Sequence, residues 1–225
     1  MNSFKVAINL CFALLCSVIV QSKSFAEPQN IGELKKILKV YHDSGAYDKE
    51  IQQVIASAKH DIIKQVRMNQ LQKNPKKLAI VLDIDETSIS NYEHILTLDF
   101  GFNKQKWEDN MTLANAPAIK PMLSLYKTAL NNHIAVFFVT GRSVHLKDAT
   151  IKNLKTSGYT TWDGIYFRPN DYKQKSISLF KTQSRADITK KGYTIIASIG
   201  DQASDFEGGY SEHNYKLPNP FYQIH

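Results

Sequence analysis

The chain has 225 residues, 43% hydrophobic and 22% charged, with a formal net charge of +7. That composition is globular, without internal repeats or low-complexity tracts, and the length suits one domain of ordinary size or a domain with a small appendage. The basic side chains are dispersed, as in Lys35/Lys36, Lys76/Lys77 and Lys190/Lys191, and no arginine-rich stripe or aromatic ladder points to a nucleic-acid polymer.

Residues 1–26 read as a secretory signal peptide. Lys5 precedes an apolar run from Val6 to Val20, and Ser24-Phe25-Ala26 puts small residues at the two positions that matter for cleavage. The run is too short for a comfortable membrane span, so no stable membrane anchor is expected after cleavage. Cys11 and Cys16 both lie inside it, which leaves residues 27–225 without a disulfide. Leu15, directly before Cys16, argues against lipid attachment. Export without disulfides suits a bacterial periplasm or secretion from a bacterium.

From Ile31 to Gln72 the pattern is helical. Ile31, Leu34, Ile37, Leu38 and Tyr41 recur at steps of three and four, Ser44-Gly45 interrupts, and Ile51, Val54, Ile55, Ala58, Ile62 and Val66 continue. This predicts a helical extension over 27–72 packed on the body by its apolar residues. Then Leu78-Ala79-Ile80-Val81-Leu82 empties into Asp83-Ile84-Asp85-Glu86-Thr87, a buried strand whose carboxyl end carries acids. Residues 88–130 are too long for a bare loop. They predict a small helical cap inserted after that strand, with helices near Trp107–Met111 and Met122–Leu130.

A second strand is expected over His133–Thr140, followed by Gly141-Arg142 and a helix near Val144–Ser157. A short strand at Gly164–Phe167, a helix near Ser176–Lys190 and a strand at Tyr193–Ile199 complete the pattern, the last ending in Gly200-Asp201-Gln202-Ala203-Ser204-Asp205. The tail, with Lys216-Leu217-Pro218-Asn219-Pro220-Phe221-Tyr222, reads as irregular chain against the body. Strands alternating with helices predict a parallel α/β sheet with helices on both faces.

In such sheets ligands bind beyond the carboxyl ends of the strands. Asp83, Asp85, Asp201 and Asp205 fall there, with no cysteine or histidine ligand set, and all-oxygen ligation suits a hard cation such as Mg²⁺. Beside it, Asp83 fits a nucleophile for phosphoryl transfer and Asp85 a general acid and base. Thr140 offers a hydroxyl and Lys181 a charge to phosphoryl oxygens. Taken singly, an acidic turn closing a strand explains Asp83 and Asp85 equally well, and a turn glycine after a β-branched strand end explains Thr140-Gly141.

DIDET, TGR, the lysine upstream of the last strand and GDQASD together resemble the haloacid dehalogenase (HAD) superfamily of phosphatases. More narrowly, they resemble its secreted acid phosphatases of the class B and plant vegetative-storage-protein type. Trp107, Ala114, Ala116 and Pro117, the run Thr150 to Leu154, Arg185, Gly192-Tyr193 and KLPNPFY extend the likeness over most of residues 27–225. The resemblance implies a Rossmann-like HAD sheet and a Mg²⁺-dependent phosphomonoester hydrolase. It implies Asp83 as nucleophile and Asp85 as general acid/base. Thr140, Gly141 and Lys181 would bind phosphate, with Lys173 and Lys175 as the alternative lysines. Asp83, the main-chain carbonyl of Asp85 and Asp201 would hold the metal, with Asp205 in support, and Arg142 would brace the loop after Thr140. A small-molecule phosphomonoester, with nucleotides among the candidates, is the implied partner, and a homo-oligomer is left open. The rival readings are a storage or binding member, against which Asp83 is intact, and a phosphotransferase to alcohol acceptors.

Overall fold

The computed structural model describes residues 27–224; the expected signal peptide lies outside the described residues. Asn30 opens α1 (Ile31–Asp43), its side chain accepting the Gly32 N–H at 2.8 Å. Gly45, at φ 81°, turns the chain into α2 (Ala46–Gln70) in a left-handed conformation that costs glycine little. Then follow β1 (Lys77–Leu82), α3 (Tyr92–Thr97), α4 (Lys104–Leu113), α5 (Lys120–Asn131) and β2 (Ala135–Ser143). After a 3₁₀ turn come α6 (Lys147–Thr156), β3 (Gly164–Arg168), α7 (Ser178–Lys190), β4 (Tyr193–Gly200) and β5 (Asn214–Lys216). No described helix is long and apolar enough to cross a membrane.

The five strands form one parallel sheet in the order β3-β2-β1-β4-β5. The period of two along each strand sorts residues between two apolar layers. Ile80, Leu82, Val136 and Phe138 share a core with Ile51, Ile55, Ala58 and Ile62 of α2 and with Met122, Leu125 and Ala129 of α5. Ala79, Val81, Phe137 and Val139 face the other way, with Ile188 of α7. Helices therefore cover both faces, as the alternation predicts.

Three features differ from the sequence reading. The apolar residues of α1 are not core: Ile31, Ile37 and Val40 are exposed, and only Leu38 and Tyr41 pack against the body. Periodicity marks a helix without saying what covers it. Within 88–130, α5 packs its apolar face into the sheet as the β1-to-β2 crossover, so only α3 and α4 are left to cover the strand ends. The tail read as irregular contributes β5, whose Asn214, Tyr215 and Lys216 pair in parallel with Ser198, Ile199 and Gly200.

Candidate active site

The chain runs outward from β1 to β2 and β3, then returns to β4 on β1's other side. The carboxyl ends of β1 and β4 thus flank a topological switch point, where open α/β sheets bind ligands. Asp83 stands one residue past β1, its N–H still bonded to the Ile199 carbonyl at 3.0 Å. By strand alternation it follows Ala79 and Val81 toward the α7 layer, while Ile84 enters the opposite core.

On α7 waits Lys181. Its Nζ donates to Asp83 Oδ1 at 2.8 Å and to Asp205 Oδ1 at 2.5 Å, and all three side chains are buried. Asp83, Asp201 and Asp205 bring carboxylate oxygens within 4.8 Å of one another. Burial pushes Asp83 well above the usual carboxylate range; Lys181 opposes that, while Asp205, Asp201 and Asp85 add to it. Burial and Asp205 likewise raise Asp201, against hydrogen bonds from Asn219 and Gln202. Burial alone would depress Lys181, but the two carboxylates beside it hold its pKa above the ordinary lysine value. One ammonium against three clustered acids leaves excess negative charge, and the donors are all oxygen. That combination fits a hard divalent cation.

Asp85 lives differently. Its carboxylate faces Arg142, whose Nη2 donates to Oδ1 at 2.6 Å and Nε to Oδ2 at 2.9 Å. Asn91 Nδ2 adds a bond to Oδ1 at 2.8 Å. Burial pushes Asp85 up, but the Arg142 charge and these hydrogen bonds outweigh it and hold the carboxyl below its usual range. Arg142, read from sequence as support for the loop after Thr140, is the direct ion-pair partner of Asp85 and also reaches Thr150 Oγ1 at 3.2 Å. Thr140 is buried, and its Oγ1 accepts the Arg142 N–H at 3.1 Å, leaving its own proton to donate. The Gly141 carbonyl accepts from Arg168 Nε at 3.0 Å. Lys173 and Lys175 are exposed on the loop before α7, away from the acid cluster that Lys181 joins.

Gly200 makes room for Asp205: a Cβ there would overlap its carboxylate. The Asp205 Oδ2 accepts the Gln202 N–H at 2.9 Å, and its carbonyl accepts from Arg185 Nη1 at 2.7 Å and Ser198 Oγ at 3.1 Å. Asp205, read as a support, therefore sits in the same carboxylate cluster as Asp83 and Asp201, while the Asp85 carboxylate turns to Arg142.

Sequence reasoning passed over several residues that hold this site. Thr87 Oγ1 donates to Asp201 Oδ1 at 3.2 Å, Gln202 Nε2 to Asp201 Oδ2 at 2.6 Å, and Asn219 Nδ2 to the same oxygen at 2.7 Å. Glu86 is fully buried at φ 50°, and burial with the nearby Asp85 charge pushes its pKa up to about 8. Tyr222 donates to Glu86 Oε2 at 2.6 Å. Their only sequence signal was membership of the DIDET, GDQASD and KLPNPFY runs. A separate cavity of about 430 Å³, lined by Lys77, Leu78, His133 and Tyr193, opens at the amino ends of the strands and contains none of these groups.

Residues 16–225 match the family model described as HAD superfamily, subfamily IIIB (Acid phosphatase). The chain is 32% identical over 160 residues to a stem 28 kDa glycoprotein of Glycine max, covering 68% of this chain and 63% of that protein. It is 33% identical over 151 residues to acid phosphatase 1 of Solanum lycopersicum, covering 64% and 58%. The chain thus spans less than two thirds of the length of these relatives. Its fold resembles the class C acid phosphatase from Bacillus anthracis, with a TM-score of 0.70, 22% identity and 86% of each chain covered. The chain belongs to the HAD superfamily, subfamily IIIB, the acid phosphatases.

Proposed function

We propose that this protein is a divalent-cation-dependent acid phosphatase that hydrolyses small phosphomonoesters, with Asp83 as nucleophile and Asp85 as general acid and base. The observation that carries the reading is the pairing of Lys181 with Asp83 inside a carboxylate cluster at the switch point of the sheet. Asp83 Oδ1 is held by Lys181, and Oδ2 accepts no hydrogen bond from the described residues. Oδ2 is thus the oxygen free to attack phosphorus, forming an aspartyl-phosphate as the bond to the leaving oxygen breaks. Asp85 gives its proton to that leaving alkoxide. It then takes a proton from the water that cleaves the aspartyl-phosphate, which frees phosphate and restores Asp83. Lys181 and the Thr140 hydroxyl neutralise and orient the phosphoryl oxygens. Asp83, Asp201 and Asp205 would hold the cation, for which Mg²⁺ is the proposal, with the Asp85 carbonyl beside them. When bound it supplies charge that lets these acids and an anionic substrate share one small space.

For substrate, we favour esters with an aryl or nucleoside leaving group. Trp107 on α4 lies 5.8 Å from Tyr222 and 6.3 Å from Phe102, and Phe102 is 76% exposed, so the cover presents aromatic surface to stack on. Residues 1–26 are read as the signal that exports the enzyme. The test is phosphate release from p-nitrophenyl phosphate with Mg²⁺ and with EDTA, across acid and neutral pH. Turnover that is lost in EDTA, returns with Mg²⁺ and is faster in acid is the expected result. Turnover indifferent to EDTA would remove the cation from the account.

A further inference from the structure

The last described residues reach back into the acid site from outside the sheet. The Leu217 N–H donates to the Gly200 carbonyl at 2.8 Å, so the tail departs beside the strand end that carries Asp201. Leu217 and Phe221 are buried, and the Phe221 ring lies 5.2 Å from both Tyr47 of α2 and Tyr92 of α3. Between these anchors lies Asn219, whose backbone the following Pro220 biases to extended conformations.

The orientation of the Asn219 amide is set from both ends. Its Oδ1 accepts the Phe221 N–H at 3.0 Å, so its NH₂ must face outward, where it donates to Asp201 Oδ2 at 2.7 Å. Gln202 Nε2 donates to that same oxygen. Asp201 Oδ1 keeps one bond, from Thr87 at 3.2 Å, and is left to face the cluster. The second arm of the tail is Tyr222, whose OH donates to Glu86 Oε2. Glu86 accepts the Asn91 N–H at 2.5 Å, and Asn91 Nδ2 donates to Asp85 Oδ1 at 2.8 Å.

We propose that residues 217–222 form a two-point clamp on the site. Asn219 positions Asp201 to receive the cation, and Tyr222 positions Asp85 through Glu86 and Asn91. Both are positioning residues, and the assignment rests on the phosphatase reading above. A carboxylate already fixed by outer donors loses less orientational freedom when it binds a cation, and losing such a donor costs about 10–100-fold in affinity. The two arms therefore have separable effects: one on cation binding, the other on turnover at saturating cation.

The experiment is calorimetric titration of Mg²⁺ into the purified protein, run beside p-nitrophenyl phosphate kinetics, for wild type, Asn219→Ala, Tyr222→Phe and Ile62→Val. Asn219→Ala should bind Mg²⁺ about 10–100-fold more weakly and regain most of its turnover when Mg²⁺ is raised. Tyr222→Phe should bind Mg²⁺ as wild type does and lose kcat with little change in KM. Ile62→Val, which trims the core under α2 away from the tail and the acid cluster, should lower the melting temperature and leave Mg²⁺ affinity unchanged. Wild-type affinity in Asn219→Ala, or an equal loss in Ile62→Val, would overturn the clamp while leaving the phosphatase reading intact. A wild-type protein that binds no Mg²⁺ overturns that reading, and the clamp with it.

Discussion

One residue separates Asp83 from Asp85, and a different cation stands beside each: Lys181 at 2.8 Å for the first, Arg142 at 2.6 Å for the second. The sequence shows the two acids but not this division, because the partners come from α7 and from the end of β2, about a hundred and about sixty residues away. The division matters for pH. Arg142 and its hydrogen bonds hold Asp85 below the usual carboxylate range, so the protonated form needed by the leaving group grows only as pH falls. An acid optimum is the prediction, with Lys181 and a bound cation keeping Asp83 ionised there. In Arg142→Gln the guanidinium is gone while burial remains, so the pKa of Asp85 rises and the limb where kcat falls with pH moves to higher pH. A shift of about one unit or more is expected; a limb that stays in place in a kcat–pH profile would contradict this role. For folding the sign runs the other way. The depressed Asp85 contributes stability above its unfolded pKa of about 3.9, and that contribution is lost as pH falls through its lower folded value.

At the scale of elements, what was legible tracks the strength of the local period. The buried stripe of α2 stands out by its period, and β1, β2 and β4 stand out as apolar runs buried on both faces. The strand β5 has three residues, none of them fully buried, and only its pairing with β4 defines it. For α1 the period was plain and the burial was not, since what covers a helix face is a tertiary fact. The turn after β4 shows how tightly an element end can be tied to chemistry. In Gly200→Ala the new methyl would overlap the Asp205 carboxylate, which must then leave Lys181 and the Gln202 N–H. A loss of about 1–3 kcal/mol is expected from such overpacking, together with weaker Mg²⁺ binding. A variant with wild-type melting temperature and wild-type Mg²⁺ titration would show that the turn has slack the structure does not reveal.

For the molecule as a whole, the sheet order explains how distant motifs become one site. Placing β4 beside β1 brings Asp201 and Asp205 to Asp83, and α7, the connection that crosses into β4, carries Lys181 to the same point. The positions of these motifs at strand ends were readable from sequence, and so was the alternation that makes a parallel sheet. The outer donors were not readable. Asn219 and Tyr222 sit on a tail that carries no periodicity, and their roles exist only because the tail folds back across α2 and α3. The central claim is that Asp83 is the nucleophile, and it is tested most directly by the rate of p-nitrophenyl phosphate hydrolysis in Asp83→Asn at saturating Mg²⁺. The amide keeps the shape and the fold but cannot form the aspartyl-phosphate. The expected result is a folded variant with no turnover above buffer; turnover within about tenfold of wild type, which is a barrier change of only about 1.4 kcal/mol, would contradict a nucleophilic Asp83.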